Sequence, residues 1–278
     1  MKKFRIKSII VGISGILIFL LSLSISAQSF ILEDPPSAKP KLTLRYFRPH
    51  FKNIEFPLSF FSGLYDLTLS IPVSPKLNII GSVPFSAWGL KHSDENESGF
   101  GNISVGMQYR FKSTNEHTTA LTLGVSIPTA SENKETPLLL GLVSNFYELQ
   151  KFFPHVLTIY GNLSHHIFLS NGLLFNMEVG PYFMIPTERG IDSELLIHYG
   201  VSAGYQIKPL TFNVELAGVG VLTEKEFLFE HRFEHILGFG VQWNRGPIRP
   251  GIFYQIYLHK YLRDLIDGIF GIKLEIDL

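Results

Sequence analysis

From about residue 40 onward, apolar and polar positions alternate in short runs. The run that ends the chain is the clearest of them. Phe270, Ile272, Leu274, Ile276 and Leu278 fall on one face of an extended segment, with Gly271, Lys273, Glu275 and Asp277 on the other. A period of two predicts a β-strand with one apolar and one charged face. In a soluble sandwich the apolar face would meet a second sheet. In an outer-membrane barrel it meets lipid, and the charged face lines a wet interior.

Similar runs recur along the chain. Leu42–Tyr46 and Tyr65–Ile71 come first, and Pro72-Val73-Ser74-Pro75 then predicts a turn, since each proline removes a ladder donor. Strands are expected at Leu77–Val83, Ile103–Phe111 and Leu121–Ile127, with a polar turn from Lys112 to Thr118. Later ones fall at Val156–Phe168, Phe175–Gly180, Leu195–Val201, Phe212–Leu216, Arg232–Trp243 and Ile252–Tyr257. Counting possible pairs within the longer runs, about thirteen candidates result, whereas a bacterial barrel normally has an even number. Twelve strands is the expectation, with fourteen the alternative, and Leu138–Tyr147 is the stretch where a strand would be missing. Longer external loops are expected at Lys91–Ser98, Ala130–Thr136, Thr187–Ser193 and Thr223–Glu230.

The N-terminus changes the setting of these strands. A basic head (Lys2, Lys3, Arg5, Lys7), an apolar run from Ile9 to Leu23 and a small-residue end at Ala27 form the pattern of a bacterial export signal. A retained signal anchor is the other reading. The expected organisation is therefore a signal peptide over 1–27 and one outer-membrane barrel domain over 28–278. Loss of 1–27 leaves 251 of the 278 residues, with 20 basic against 24 acidic residues, a balance of −4. That is no footprint for nucleic acid. With no cysteine, the chain has no disulfide or thiolate chemistry. Past the signal there is no eighteen-residue apolar helix candidate, so an integral chain would have to be a closed barrel. Glycines inside strand patterns, such as Gly106, Gly124, Gly200 and Gly240, leave room for large inward side chains. Tyr46, Tyr65, Tyr109, Tyr160, Tyr199, Tyr205, Trp243 and Tyr257 lie near strand ends, as interfacial girdles do.

Two neighbouring stretches carry a resemblance. Gly99-Phe100-Gly101-Asn102 opens a strand that ends in Tyr109-Arg110-Phe111, and the next strand ends in Ile127-Pro128-Thr129-Ala130. Together with Val83-Pro84-Phe85, this resembles the outer-membrane barrel family named for the phenol-degradation meta-pathway (MetA-type). That family typically opens with Gly-x-Gly-Asp and closes the following strand with Leu-Pro-Thr-Gly. Asn102, Ile127 and Ala130 depart from that pattern. The resemblance implies an outer-membrane barrel with a transport-related role, without implying a phenolic substrate.

The polar faces nominate lumen-lining residues: Asp66, Arg110, Glu178, Glu194, His198, Glu215, Arg232, Glu234, Lys273 and Glu275. They would either line a solute path, where charge and diameter set selectivity, or fill a narrow barrel as paired side chains. Arg232 beside Glu234 is the simplest such pair. For catalysis, Ser164 and His165 point to opposite faces of their strand. Ser164 and His166 share a face but stand about 6.6 Å apart along it, too far for direct proton transfer. His231, Glu234 and His235 share no single face, so no metal site is expected, and no cofactor motif is present. The expected function is a non-enzymatic outer-membrane channel or transporter for small solutes. A non-conducting structural or adhesive barrel is the alternative, and a lipid-modifying enzyme a more distant one. Expected partners are outer-membrane lipid and lipopolysaccharide, the barrel-assembly machinery and a small-molecule solute.

Overall fold

The computed structural model describes residues 29–52, 58–91, 96–114, 116–223 and 232–278. The expected signal peptide lies outside these residues, as do His231 and most of the expected 223–230 loop. The strands are β1 (Lys41–Phe51), β2 (Gly63–Ser74), β3 (Leu77–Gly89), β4 (Asn96–Phe100), β5 (Ile103–Ser113), β6 (His117–Ile127) and β7 (Val156–Phe168), followed by β8 (Leu173–Pro186), β9 (Glu194–Ile207), β10 (Leu210–Val221), β11 (Phe233–Trp243), β12 (Ile248–Tyr257) and β13 (Ile266–Asp277). All pairings are antiparallel between neighbours, and β1 pairs with β13 from Lys41↔Asp277 to Phe51↔Ile266. The sheet therefore closes on itself. β4 and β5 both pair with β3 and are separated only by Gly101 and Asn102, so thirteen segments occupy twelve places in the wall. This resolves the odd strand count.

The stretch 138–147 is not a missing strand. Helix α1 (Glu135–Ser144) and a 3-10 helix (Phe146–Phe152) lie within the β6–β7 connection, and a short helix α2 (Lys260–Leu265) follows β12. An apolar run without a period of two could not serve as a wall strand, which needs one lipid face and one lumen face. The expected loop at 130–136 is the beginning of this larger excursion.

Connections at one rim span two to four residues, and those at the other span six to twenty-eight. This asymmetry is that of outer-membrane barrels, with short periplasmic turns and longer external loops. Outward positions form an apolar belt in which Val105, Met107, Leu123, Val125, Ile159, Val179, Val214 and Ile272 are exposed. Ser104, Gln108, Thr122, Lys273 and Glu275 are buried inward, as the alternation predicts. Tyr46, Tyr65, Phe85 and Phe100 form an aromatic chain at the long-loop rim, with successive ring centroids 4.8, 6.2 and 5.1 Å apart. Tyr160 and Tyr257 are not part of a girdle. Tyr160 stacks on Tyr182 inside the lumen, in the space left by Gly124, and buried Tyr257 donates to the Val143 carbonyl of α1.

Leu123 lies on the lipid face near the middle of β6 and is half exposed. Leu123→Arg is expected to lower folding stability in phospholipid vesicles by about 2–4 kcal/mol, the cost of a cation at mid-membrane. Urea titrations followed by tryptophan fluorescence check this, and Leu123→Ile serves as the near-neutral control.

Candidate functional site: a lumen filled by two inserts

The interior is occupied from both rims. Residues 29–40 precede β1 at the short-turn rim, form no strand, and fold back into the barrel. The β6–β7 excursion enters from the opposite rim.

The first insert is held by inward side chains of eight strands. Glu215 (β10) accepts the Phe30 N–H at 2.9 Å, the Ile31 N–H at 2.7 Å and the Ser29 hydroxyl at 2.9 Å. Glu178 (β8) accepts the Glu33 N–H at 2.7 Å, and Thr122 (β6) donates to the Glu33 carboxylate at 2.7 Å. The Asp34 carboxylate bridges Lys41 of β1 at 2.9 Å and Lys273 of β13 at 3.0 Å. Gln108 and Arg110 (β5) donate to the carbonyls of Asp34 and Pro36, and Asn78 (β3) to that of Ser37. Phe30 packs on Phe253 of β12, centroids 5.3 Å apart.

The second insert is pinned through its 3-10 helix. Arg45 (β1) binds both Asp66 (β2) and Glu148, and Lys151 binds Asp66 at 3.1 Å and Glu148 at 2.9 Å. Ser82 (β3) donates to Asp66 at 2.7 Å and accepts from Lys151 at 2.8 Å. Tyr147 donates to Glu178 at 2.7 Å, so that carboxylate touches both inserts. Asn102, fully buried in the break between β4 and β5, fixes the ends of the excursion. Its Oδ1 accepts the N–H groups of Thr129 and Ala130, each at 3.0 Å. Its Nδ2 donates to the carbonyls of Gln150 at 3.0 Å and Phe153 at 2.7 Å. Where the family pattern has Asp, an Asn supplies donors as well as acceptors.

Between the inserts lies a cavity of about 150 Å³, lined by Glu33, Arg45, Tyr147, Glu148, Lys151 and Glu178 among others. It carries both signs of charge, most of them paired.

The residues nominated from sequence are placed as follows. Asp66, Arg110, Glu178, Glu215, Lys273 and Glu275 all hold an insert directly or through one neighbour, with Glu275 2.8 Å from Lys273 and 3.2 Å from Arg249. His198 is buried in the lumen, its ring stacked on Tyr182 at a centroid distance of 3.6 Å. Glu194 accepts from the Thr223 hydroxyl at the long-loop rim, away from the cavity. Glu234 accepts the His259 N–H at 3.2 Å, and Arg232 lies half-buried just before β11. Sequence reading missed Lys41, Arg45, Glu148 and Lys151. The alternation that sends Leu42 and Leu44 outward contains the signal for Lys41 and Arg45, but nothing local marks the two on the 3-10 helix.

Ser164 and His166 both face inward and are buried, yet His166 Nδ1 is engaged by Asn176 Oδ1 at 3.0 Å, and the Ser164 hydroxyl has no hydrogen bond among the described residues. The pair forms no nucleophile–base contact. Among the described residues no cluster of three or more His, Asp or Glu side chains converges to hold a metal ion.

The family described as "Putative MetA-pathway of phenol degradation" matches residues 63–249. Among solved structures, the COG4313 outer membrane channel from Pseudomonas putida F1 is similar at 10% identity and a TM-score of 0.62, over 91% of this chain and 100% of that one. The NanC porin is similar at 14% identity and 0.51, over 85% and 100%, and the KdgM porin at 8% and 0.52, over 86% and 99%. No curated protein matches the sequence. At these identities the likeness is one of fold.

Asn102→Asp would set a carboxylate against the Gln150 and Phe153 carbonyls and remove two donated bonds. It is expected to cost about 1–3 kcal/mol, the usual penalty for stranding buried polar groups. Limited proteolysis of the folded barrel would then show faster cleavage between residues 128 and 155. A variant with the parent's cleavage rate and stability would contradict the role given to Asn102.

Proposed function

The chain belongs to the family described as "Putative MetA-pathway of phenol degradation", and on that premise we propose that it is a non-enzymatic outer-membrane channel for small solutes. The supporting observation is the lumen itself: a closed twelve-place wall around a cavity of about 150 Å³ whose lining includes both acidic and basic side chains, with residues of both inserts in that lining. In this reading the short-turn rim faces the periplasm, the long loops face outward, and the export signal at 1–27 delivers the chain to the envelope. The small cavity limits passage to small solutes, and its mixed charges favour no single sign. The family description lends its barrel and not a phenolic substrate, because nothing in the lumen singles out a phenol.

Dense filling of the lumen favours a second reading, a barrel that displays its outer loops and does not conduct. Planar-bilayer recordings decide between them. The parent is expected to show small, ion-permeable openings. Arg45→Ala combined with Lys151→Ala, which removes both cations from the cluster pinning the 3-10 helix, is expected to raise conductance several-fold. Silence from parent and variant alike, with both shown folded by heat-dependent migration in detergent gels, would overturn the channel and leave the non-conducting barrel.

A further inference from the structure

The inner wall handles residues 29–37 as a peptide-binding groove handles its ligand. Donors and acceptors of the segment's main chain are met by wall side chains of matching polarity. The two oxygens of Glu215 take two consecutive N–H groups, and Glu178 takes a third. Lys273, Gln108, Arg110 and Asn78 each donate to one of four carbonyls, those of Ser29, Asp34, Pro36 and Ser37. A filler needs only volume, whereas this wall reads a backbone.

The side chains are seated as specifically. Phe30, Ile31 and Leu32 are 3–5% exposed. A Cβ on Gly240 would overlap the Phe30 ring, one on Gly238 would come within 2.7 Å of Ile31, and one on Gly200 would overlap Leu32. Three strand positions without side chains thus form three successive apolar seats. Two residues beyond Leu32, Asp34 meets the paired ammonium groups of Lys41 and Lys273. No backbone ladder joins the segment to the wall, so it can leave without opening the barrel.

We propose that the lumen wall is an oligopeptide-binding site. Its ligand class is a peptide that bends over three consecutive apolar residues and carries, two positions later, a carboxylate. Residues 29–37 are the resident, tethered occupant, and a free peptide of the same chemistry competes for the same groups. A tethered occupant competes at an effective concentration near millimolar, so weakening the tether exposes the site to the free peptide.

The test uses the whole mature chain folded in detergent and a fluorescein-labelled peptide, Ser-Phe-Ile-Leu-Glu-Asp-Pro-Pro-Ser, with anisotropy as the readout. A scrambled peptide of equal composition measures partition into micelles. Asp34→Ala in the protein removes the carboxylate that Lys41 and Lys273 grip and changes no side chain of the wall. It is expected to bind the free peptide at least tenfold more tightly than the parent does. Adding Glu215→Gln to Asp34→Ala is expected to abolish that gain. If Asp34→Ala does not fold, Ile31→Ala weakens the same occupant at a different seat. Equal binding of native and scrambled peptides, or no gain from a folded tether variant, overturns the proposal. Conductance is not read, so a silent channel leaves this result standing and a failed peptide leaves the channel reading standing.

Discussion

Closure between β1 and β13 is the constraint on which the remainder of the structure depends. In hydrocarbon each unpaired N–H or C=O costs several kcal/mol, so a wall of strands can have no edge. The eleven residue pairs of the seam meet that requirement. The same register sets Arg45 directly opposite Lys273, with Lys41 two inward positions away along β1, beyond Thr43. Like charges directly opposite across strands destabilise the pairing, and buried as these side chains are, they need counter-charges nearby. Glu275 supplies one from the seam itself. The inserts supply others: Asp34 takes Lys41 and Lys273, and Glu148 takes Arg45.

The two inserts therefore complete the charge balance that strand closure creates as well as filling space. Buried ion pairs are weak evidence for stability, because desolvation offsets much of the attraction. Their stronger effect is on position, since removing one partner leaves an uncompensated buried charge. Asp34 on one insert and Glu148 on the other are each fixed by cations of the same strand, Lys41 and Arg45 on the inward face of β1. The two inserts meet at Glu178, which accepts from Tyr147 on one and Glu33 on the other. Displacing either insert would thus disturb a shared carboxylate, a physical route by which the state of one rim can bias the other.

The wall was legible in the sequence because lipid and lumen impose opposite chemistries on alternate residues. Thus Val105 and Met107 separate cleanly from Ser104 and Gln108. The filling was not legible, because its residues obey no such rule. Leu138 to Val143 are apolar without a period of two, and they pack as a helix inside a polar wall. Phe30 to Leu32 carry no local sign that Gly200, Gly238 and Gly240, far along the chain, leave space for them. Tyr160 and Tyr257 sit near strand ends as girdle residues do, yet alternation places them inward. Face outranks depth along the strand in deciding where an aromatic goes.

The motifs behind the family resemblance take on a specific physical meaning. Asn102, in the first, and Thr129-Ala130, in the second, are some 27 residues apart along the chain, yet the side chain of Asn102 binds both backbone N–H groups. Thr129 adds two further bonds, its hydroxyl donating to the Gly101 carbonyl at 3.1 Å and accepting the Ile103 N–H at 2.9 Å. Gly99–Asn102 and Ile127–Ala130 do not line the central cavity, whereas Ser104, Gln108 and Thr122 within the same two stretches do. Together the two motifs clasp the base of the β6–β7 excursion where it turns into the barrel. The pattern that identifies the family thus records how a loop is held in the lumen. The charged and phenolic groups that would meet a solute, among them Glu33, Arg45, Tyr147 and Glu178, lie outside both motifs. Solute preference can therefore differ between chains that share the clasp, and it must be sought in the residues that face the gap between the inserts.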